Sequence, residues 1–276
     1  MELPIYTASR YVQPLREGGS LPAILDTDGG LFVVKFRGAG QGARALIAEL
    51  IVGLLARALG FAVPDLALIE VVPAFGREEP DPEIQDLLRA SHGVNVGLSY
   101  LDGAFNYDAL AAGTFIDGAF ASNLVWFDAL VTNPDRTHRN PNLMIWQRTP
   151  WLIDHGTALY AHHSWSTCDD EKTRAPFALI KDHVLLGRAD DLHGADVRFA
   201  PQVVRDRVED VLLAVPDALL LDPISKPELA TADALRKRYV DYLLTRMAEP
   251  RAFVAEAERT QHEASVQPAG RKSARR

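Results

Sequence analysis

The stretch "NPDRTHRNPNLMIW", residues 133 to 146, places many polar side chains immediately before an apolar strand. A second apolar run, "WLIDHG" at residues 151 to 156, follows the turn "QRTP", so the two runs together predict a small β-hairpin. Asp135 precedes this hairpin and Asp154 ends it. Loops held on rigid elements are where proteins place functional groups, so the hairpin indicates a site.

The polar side chains around this hairpin have the chemistry of a magnesium site. They offer carboxylate and amide oxygens, the hard ligands that magnesium prefers, from Asp135, Asp154 and Asn140 or Asn142. Arg136 and Arg139 add forked donors for a phosphate or for a neighbouring carboxylate. The alternative is a plain turn-rich loop, since Asn, Asp and Pro are what turns use.

Two isolated charges upstream predict an ion pair. Lys35 lies in "LFVVKF", an otherwise apolar strand, and Glu49 is the only charged residue between Arg44 and Arg57 on an apolar helix. A lone buried charge is costly, so each residue is the natural partner of the other. The alternative is that Lys35 reaches the surface and Glu49 faces solvent.

The rest of the chain divides into a strand-rich beginning and a helical end. Residues 11–36 predict three short strands separated by "EGGS" and "DTDGG" turns, and a helix of about 16 residues then stops at Gly60. Further strands are predicted within 63–73 and 94–101, with a polar loop and a short helix between them. Helical patterns dominate after residue 119, and the polar, basic end predicts a disordered tail.

Composition limits the class of partner. The 276 residues carry a net charge of -8, which argues against direct nucleic-acid binding and against binding to anionic membranes. The single cysteine, Cys168, fits a reducing compartment, and no signal peptide or apolar run long enough to span a bilayer is evident. The sequence therefore predicts a cytoplasmic protein.

The order of these features resembles the protein-kinase-like fold. It comprises an apolar strand with a lysine, a helix glutamate, an aspartate followed five residues later by asparagine, and an Asp-x-Gly after a strand. The forms "DRTHRNPNLMIW" and "LIDHG" resemble the HipA-like kinases, with a looser likeness to phosphoinositide lipid kinases. The resemblance spans about residues 10–250 and implies a bilobal α+β fold. Its N-lobe would be 1–101, its mostly helical C-lobe 102–258 and the tail 259–276.

The resemblance also implies roles for the polar residues. Lys35 would contact the α- and β-phosphates of ATP and be held by Glu49. Asp135 would be the catalytic base that orients the acceptor hydroxyl, and Asp154 would bind Mg²⁺. This short list is chemically sufficient, because phosphoryl transfer depends almost entirely on positioning and charge neutralisation.

Two parts of the implied site are open. The spacing of five from Asp135 favours Asn140 as the second metal ligand, whereas the position next to the strand selects Asn142. A phosphate-covering loop would use the backbone of Gly18, Gly19 and Ser20, although the full GxGxxG pattern is missing and a plain turn fits equally well. The strand that ends near Tyr100 and Leu101 would contact adenine.

The function that these residues imply is a Mg-ATP-dependent phosphotransferase that acts on a hydroxyl, most naturally a protein Ser or Thr, including one of its own. One alternative keeps the fold but drops catalysis, leaving a nucleotide-binding pseudokinase or regulatory module. Another is a small-molecule kinase of the aminoglycoside or choline type. The complete set of charged positions argues against the inactive alternative.

Overall fold

Strands build the first part of the chain and helices most of the remainder. The computed structural model describes residues 2–15, 21–40, 42–77, 79–108, 113–223 and 228–266. In these residues the strands are Ile5–Pro14 (β1), Ala23–Thr27 (β2), Gly30–Lys35 (β3), Leu66–Val71 (β4), Gly93–Ser99 (β5), Phe105–Asn106 (β6), Leu143–Trp146 (β7) and Thr149–Leu152 (β8). The α-helices are Ala43–Ala58 (α1), Pro82–Ala90 (α2), Gly118–Leu130 (α3), Asp170–Arg174 (α4), Leu192–Phe199 (α5), Arg205–Leu213 (α6), Asp217–Leu220 (α7), Ala232–Met247 (α8) and Ala252–Val266 (α9).

The first five strands close into a barrel in the order β1-β2-β3-β5-β4. β2 and β3 form a hairpin at the predicted "DTDGG" turn, where Thr27 pairs with Gly30 and Gly30 has a φ of 106°. Closure comes from β1, whose residues 5–7 pair in parallel with residues 68–70 of β4. Two register shifts against β2 allow β1 to bend towards β4. The sequence predicted five strands here, but it missed residues 5–10 of β1 and the closure of the barrel.

Helix α1 is buried along most of its length. It packs against β4 and β5 of the barrel and also against α6 and α7. Its apolar side chains join a cluster that includes residues of α3 and α8. The chain leaves the helix at Gly60, as predicted, with a φ of 91° and its N–H donating to the Arg57 carbonyl at 3.0 Å. This burial explains why the helix is apolar nearly all round.

The hairpin predicted from the opening stretch is present. β7 and β8 pair antiparallel from Leu143–Leu152 to Trp146–Thr149, and the turn between them has positive φ values of 49° and 65° at Gln147 and Arg148. β6 adds to the other edge of β7. Together with the barrel and the helices, the hairpin confirms a mixed α+β fold, while the division near residue 101 stays a prediction.

The C-terminal helix is longer than the sequence predicted. The expected disordered tail began at residue 259, but α9 continues to Val266, so this part of the prediction was wrong. Arg259 pairs with Glu256 and Glu263 at helical spacing, and Gln261 Nε2 donates to the Ala189 carbonyl at 2.9 Å. These contacts stabilise a polar segment without a large apolar face. Residues 267–276 lie outside the described part of the chain.

The structure gives one result on the membrane question. Across the described residues, none of the helices combines the length and the apolar character that a bilayer span requires.

Candidate active site

Lys35, Glu49 and Asp154 come together at the end of β3. The Lys35 Nζ lies 2.6 Å from Glu49 Oε2 and 2.5 Å from Asp154 Oδ1. Glu49 is fully buried in the middle of α1, and the Lys35 side chain is 10% exposed. The predicted Lys35–Glu49 ion pair is therefore present, and Asp154 adds a second carboxylate from the loop after β8. This outcome excludes the alternative in which the two charges face solvent separately.

Mutual pairing sets the pKa values in this cluster. Burial alone would lower the pKa of the Lys35 ammonium, but Glu49 and Asp154 outweigh it and raise that pKa above its ordinary value. Lys35 lowers the pKa of the Asp154 carboxyl. Burial raises the pKa of Glu49, and Lys35 opposes that effect. At neutral pH the cluster therefore holds a charged ammonium against a charged Asp154.

The backbone after β8 is shaped around this cluster. Asp154 has a φ of 56°, a left-handed conformation that is uncommon outside glycine and concentrated at functional sites. The next residue, His155, donates its backbone N–H to Glu49 Oε2 at 2.7 Å. One carboxylate oxygen of Glu49 thus receives both the Lys35 ammonium and the His155 amide. This shared contact fixes the position of Asp154 relative to α1.

Asp135 lies beside both candidate amides. Its Oδ2 accepts from Asn140 Nδ2 at 2.7 Å and from Asn142 Nδ2 at 3.1 Å. Asn142 is also 3.4 Å from the Asp154 carbonyl and has a φ of 48°, a conformation that Asn tolerates better than most residues. Asn140 is exposed, whereas Asn142 is 6% exposed. The structure therefore brings both predicted amides to Asp135, and Asn142 lies between the two aspartates.

A buried charge network lies under this loop. Arg136 Nε contacts Asp128 Oδ2 at 2.5 Å, and the same oxygen is 2.9 Å from His183 Nε2. The other oxygen of Asp128 accepts from Asn133 Nδ2 at 3.0 Å. Arg136 also donates to the Asn142 carbonyl. Arg136 therefore serves a neighbouring carboxylate, one of the two uses that the sequence suggested.

Sequence reasoning missed Asp128 and His183. The signal was available for Asp128, because it is the only charged residue of the apolar helix α3. Glu49 is isolated in the same way between Arg44 and Arg57 of α1. His183 gave no comparable signal, because it lies in a segment of mixed polar and apolar residues, 55 positions after Asp128. Arg139, the other predicted phosphate donor, is exposed.

Burial and the pairing with Arg136 together set the charge states in this network. Burial would raise the pKa of the Asp128 carboxyl, but Arg136 and His183 outweigh it and lower that pKa well below its usual range. Burial lowers the pKa of His183, and burial with Arg136 lowers the pKa of His155 to about 3. Arg136 therefore faces a charged aspartate and neutral histidines at pH 7.

Acid should destabilise the protein through His155. Below about pH 6.5 the imidazole of this residue binds a proton in the unfolded chain but stays neutral in the folded chain. The free energy of unfolding therefore falls as the pH drops towards the pKa of the folded chain. We expect His155 to remove about 2 kcal/mol of unfolding free energy between pH 7 and pH 5. Urea unfolding of the protein and of His155→Phe at both pH values measures this contribution.

His155→Phe should lose about one proton's share of the pH dependence of unfolding that the parent chain shows. An unchanged pH dependence in His155→Phe would contradict the assignment of a buried neutral imidazole.

The predicted nucleotide contacts stay predictions. Gly18, Gly19 and Ser20 lie outside the described residues. Tyr100 and Leu101 lie just after β5, where the Tyr100 N–H donates to the Leu31 carbonyl at 2.9 Å and the Leu101 carbonyl accepts from Ala104 at 3.1 Å. Two of the backbone groups proposed for adenine are thus engaged within the fold, and the adenine contact stays a prediction.

A cavity of about 330 Å³ lies apart from this cluster. Its walls come from the segment after Asp154 and from α8, and they include Tyr160, Phe177, Tyr242 and Arg246. Lys35, Asp135 and Asp154 do not line it. The cavity and the charged cluster are therefore different places in the fold. The charged cluster is the candidate site because Glu49 and Asp154 both contact the Lys35 ammonium.

The charged cluster predicts a class of protein. A buried strand lysine is paired with a helix carboxylate and with Asp154, and Asn142 lies between Asp154 and Asp135. Phosphoryl transfer depends on positioning and charge of this kind, so the cluster predicts a kinase-like phosphotransferase.

Comparisons with known proteins give the family. A sequence model described as HipA-like kinase matches residues 12–175. A crystal structure of the proinflammatory kinase CtkA of Helicobacter pylori is similar in fold, with a TM-score of 0.57 and 12% identity over 96% of this chain and 99% of that one. No sequence among the curated proteins matched. The chain belongs to the HipA-like kinase family.

Proposed function

We propose that the protein is a two-lobed, Mg-ATP-dependent kinase that transfers the γ-phosphoryl group to a Ser or Thr hydroxyl, on a protein partner or on itself. The observation that carries the proposal is the Lys35 ammonium held between Glu49 and Asp154. A fixed cation beside a fixed carboxylate suits a triphosphate and its metal. The nucleotide would lie between the strand-rich and helical parts, with its phosphates at this cluster.

Each charged residue then has one task. Lys35 binds the α- and β-phosphates, and Glu49 holds its ammonium in place. Asp135 orients the acceptor hydroxyl and takes its proton as the new O–P bond forms and the bond from the γ-phosphorus to the β-phosphate oxygen breaks. The buried Asp128–Arg136 pair keeps the backbone around Asp135 rigid.

The donor set fits magnesium. Asp154 has a carboxylate and Asn142 or Asn140 has an amide oxygen, which are hard ligands. In this structure the amide nitrogens face Asp135, so the oxygen would bind the ion after a half-turn of the amide group. No group of three or more His, Cys, Asp or Glu side chains in the described residues could hold a metal alone. Magnesium commonly uses one or two carboxylates together with substrate phosphates. When bound, the ion would neutralise phosphate charge.

The two asparagines should differ in effect. We assign the metal contact to Asn142, because it lies beside both aspartates while Asn140 contacts Asp135 from the exposed side. Asn142→Ala should raise the Mg²⁺ concentration needed for half-maximal activity about tenfold or more, and Asn140→Ala should change that concentration little. Titration of activity with Mg²⁺ at saturating ATP measures the difference. The reverse ranking of the two variants would assign the metal to Asn140.

The acceptor class rests on the family resemblance, which indicates protein Ser or Thr. Incubation of the purified protein with Mg²⁺ and ATP, followed by ADP measurement and mass spectrometry, tests the proposal. We expect ADP release together with a phosphorylated Ser or Thr. Nucleotide-dependent thermal stabilisation without ADP release would instead indicate an inactive nucleotide-binding module.

A further inference from the structure

An ion pair joins the candidate active site to a distant part of the chain. Arg37, two residues after Lys35, contacts Asp222, which follows the short helix α7. The two side chains are 16% and 2% exposed. The partners are 185 residues apart in sequence. A charge pair this well shielded from solvent differs from the exposed pairs on the helices, since loss of one partner leaves the other charge buried.

The backbone that carries Arg37 is held firmly. The Arg37 N–H donates to Asn95 Oδ1 at 2.9 Å, and the Gly38 N–H donates to Ser91 Oγ at 3.2 Å. Asn95 is fully buried, and its amide donates to the Ser91 carbonyl at 2.9 Å. A contact made by the Arg37 side chain therefore acts on a fixed strand end. The same strand end carries Lys35.

The same C-terminal segment also covers helix α1. α6 and α7 pack on α1, and Ile47 of α1 lines a space of only about 20 Å³ with Leu220 and Leu235. Closely packed interiors resist displacement, so α1 has little room to move on this side. Residues 205–222 therefore contact the elements that carry both members of the Lys35–Glu49 pair. They contact the end of β3 through the Arg37–Asp222 ion pair, and they pack on α1, which carries Glu49.

We propose that residues 205–222 form a built-in brace that holds the Lys35–Glu49 pair in its catalytic position, with Arg37 and Asp222 as positioning residues. The brace acts through β3 by the ion pair and through α1 by packing. It lies beyond residues 12–175, the part of the chain that matches the family. Its effect on catalysis rests on the proposed kinase function, whereas its effect on the geometry of Lys35 does not.

The brace has a consequence for regulation. In a kinase whose helix glutamate moves away from its lysine, activity depends on the position of that helix. Here the helix is covered and the strand end is tied, so the Lys35–Glu49 pair stays assembled in the free chain. The enzyme therefore needs no partner to bring these two residues together.

Removal of the Asp222 charge tests the proposal. Asp222→Asn in the full chain should lower kcat/KM for magnesium ATP about tenfold, because small displacements of positioning groups have large kinetic effects. Asp222→Glu, which keeps the carboxylate, should retain most activity. Asp86→Asn removes an exposed Arg–Asp pair on α2 and should leave kcat/KM unchanged.

A second measurement reads the geometry directly. Acylation of lysines by an N-hydroxysuccinimide ester, followed by mass spectrometry, compares Lys35 with the exposed Lys237. Asp222→Asn should increase the labelling rate of Lys35 relative to Lys237, and Asp222→Glu should not. Arg37→Lys serves if Asp222→Asn does not fold, and it should show the same change to a smaller degree.

The two proposals fail separately. If the parent chain shows no ATP turnover, the kinase function fails, and the labelling of Lys35 still decides on the brace. If the parent chain is active and folded Asp222→Asn keeps both its kcat/KM and its Lys35 labelling rate, the brace is refuted.

Discussion

Asp154→Asn is expected to lower kcat for magnesium-dependent ATP turnover at least about a hundredfold, because an uncharged amide replaces the carboxylate assigned to the metal. Asp135→Asn should lower kcat by about 10²–10⁴-fold, since the acceptor hydroxyl loses the group that takes its proton. Both substitutions keep the size of the side chain. Steady-state kinetics with purified variants gives the two values.

The control for these variants is Asp26→Asn. Asp26 forms an exposed pair with Arg10 on the barrel, with side chains that are 37% and 70% exposed. Asp26→Asn should leave kcat unchanged. Equal turnover in the parent chain, Asp135→Asn and Asp154→Asn would contradict the assignment of both aspartates to the active site. The observed activity would then come from another site or from a contaminant.

The second large effect concerns stability. Asp128→Asn should lower the free energy of unfolding by about 3–5 kcal/mol, because it leaves the fully buried guanidinium of Arg136 without a counter-charge. Asp26→Asn, the same chemical change at an exposed pair, should cost less than about 1 kcal/mol. Urea unfolding at pH 7 compares both variants with the parent chain.

A double variant separates pairing from packing. Asp128→Asn combined with Arg136→Met removes both charges, so it should be less destabilised than the sum of the single variants. Strict additivity would mean that the 2.5 Å contact between Arg136 and Asp128 contributes no coupling. In that case the network beneath the candidate catalytic loop would be held by packing alone.

Local patterns predicted much of the fold. The "DTDGG" turn, the helix that stops at Gly60 and the β7–β8 hairpin follow from short-range rules on turn residues and periodicity. The Lys35–Glu49 pair was predictable because each charge is isolated in an apolar element. The same reasoning applied to α3 finds Asp128.

Long-range pairing was not predictable in the same way. Closure of the barrel depends on residues 5–7 meeting residues 68–70, and no local pattern specifies that partner. The Arg37–Asp222 pair joins residues 185 positions apart. The pattern of polar residues in the sequence does not specify which arginine pairs with which aspartate. The extension of α9 depends on helical pairs of Arg259 and on a contact to residue 189, in a segment whose composition suggests disorder.

The two amides in "NPN" show where spacing stops being informative. Spacing from Asp135 favoured Asn140 and the position next to the strand selected Asn142, and both reach Asp135 in the fold. Three-dimensional placement separates them, because Asn142 also approaches the Asp154 carbonyl. The separation depends on its left-handed backbone, which a one-dimensional pattern does not encode.

A crystal structure with a non-hydrolysable ATP analogue and Mn²⁺ would show whether the charged cluster binds nucleotide and metal, since the anomalous signal of manganese locates the metal. We predict the metal at Asp154 with Asn142, the triphosphate against the Lys35 ammonium, and the γ-phosphate facing Asp135. Nucleotide and metal bound in the cavity between α8 and the segment after Asp154, with Lys35 still paired and uncontacted, would contradict the assignment of this cluster as a kinase active site.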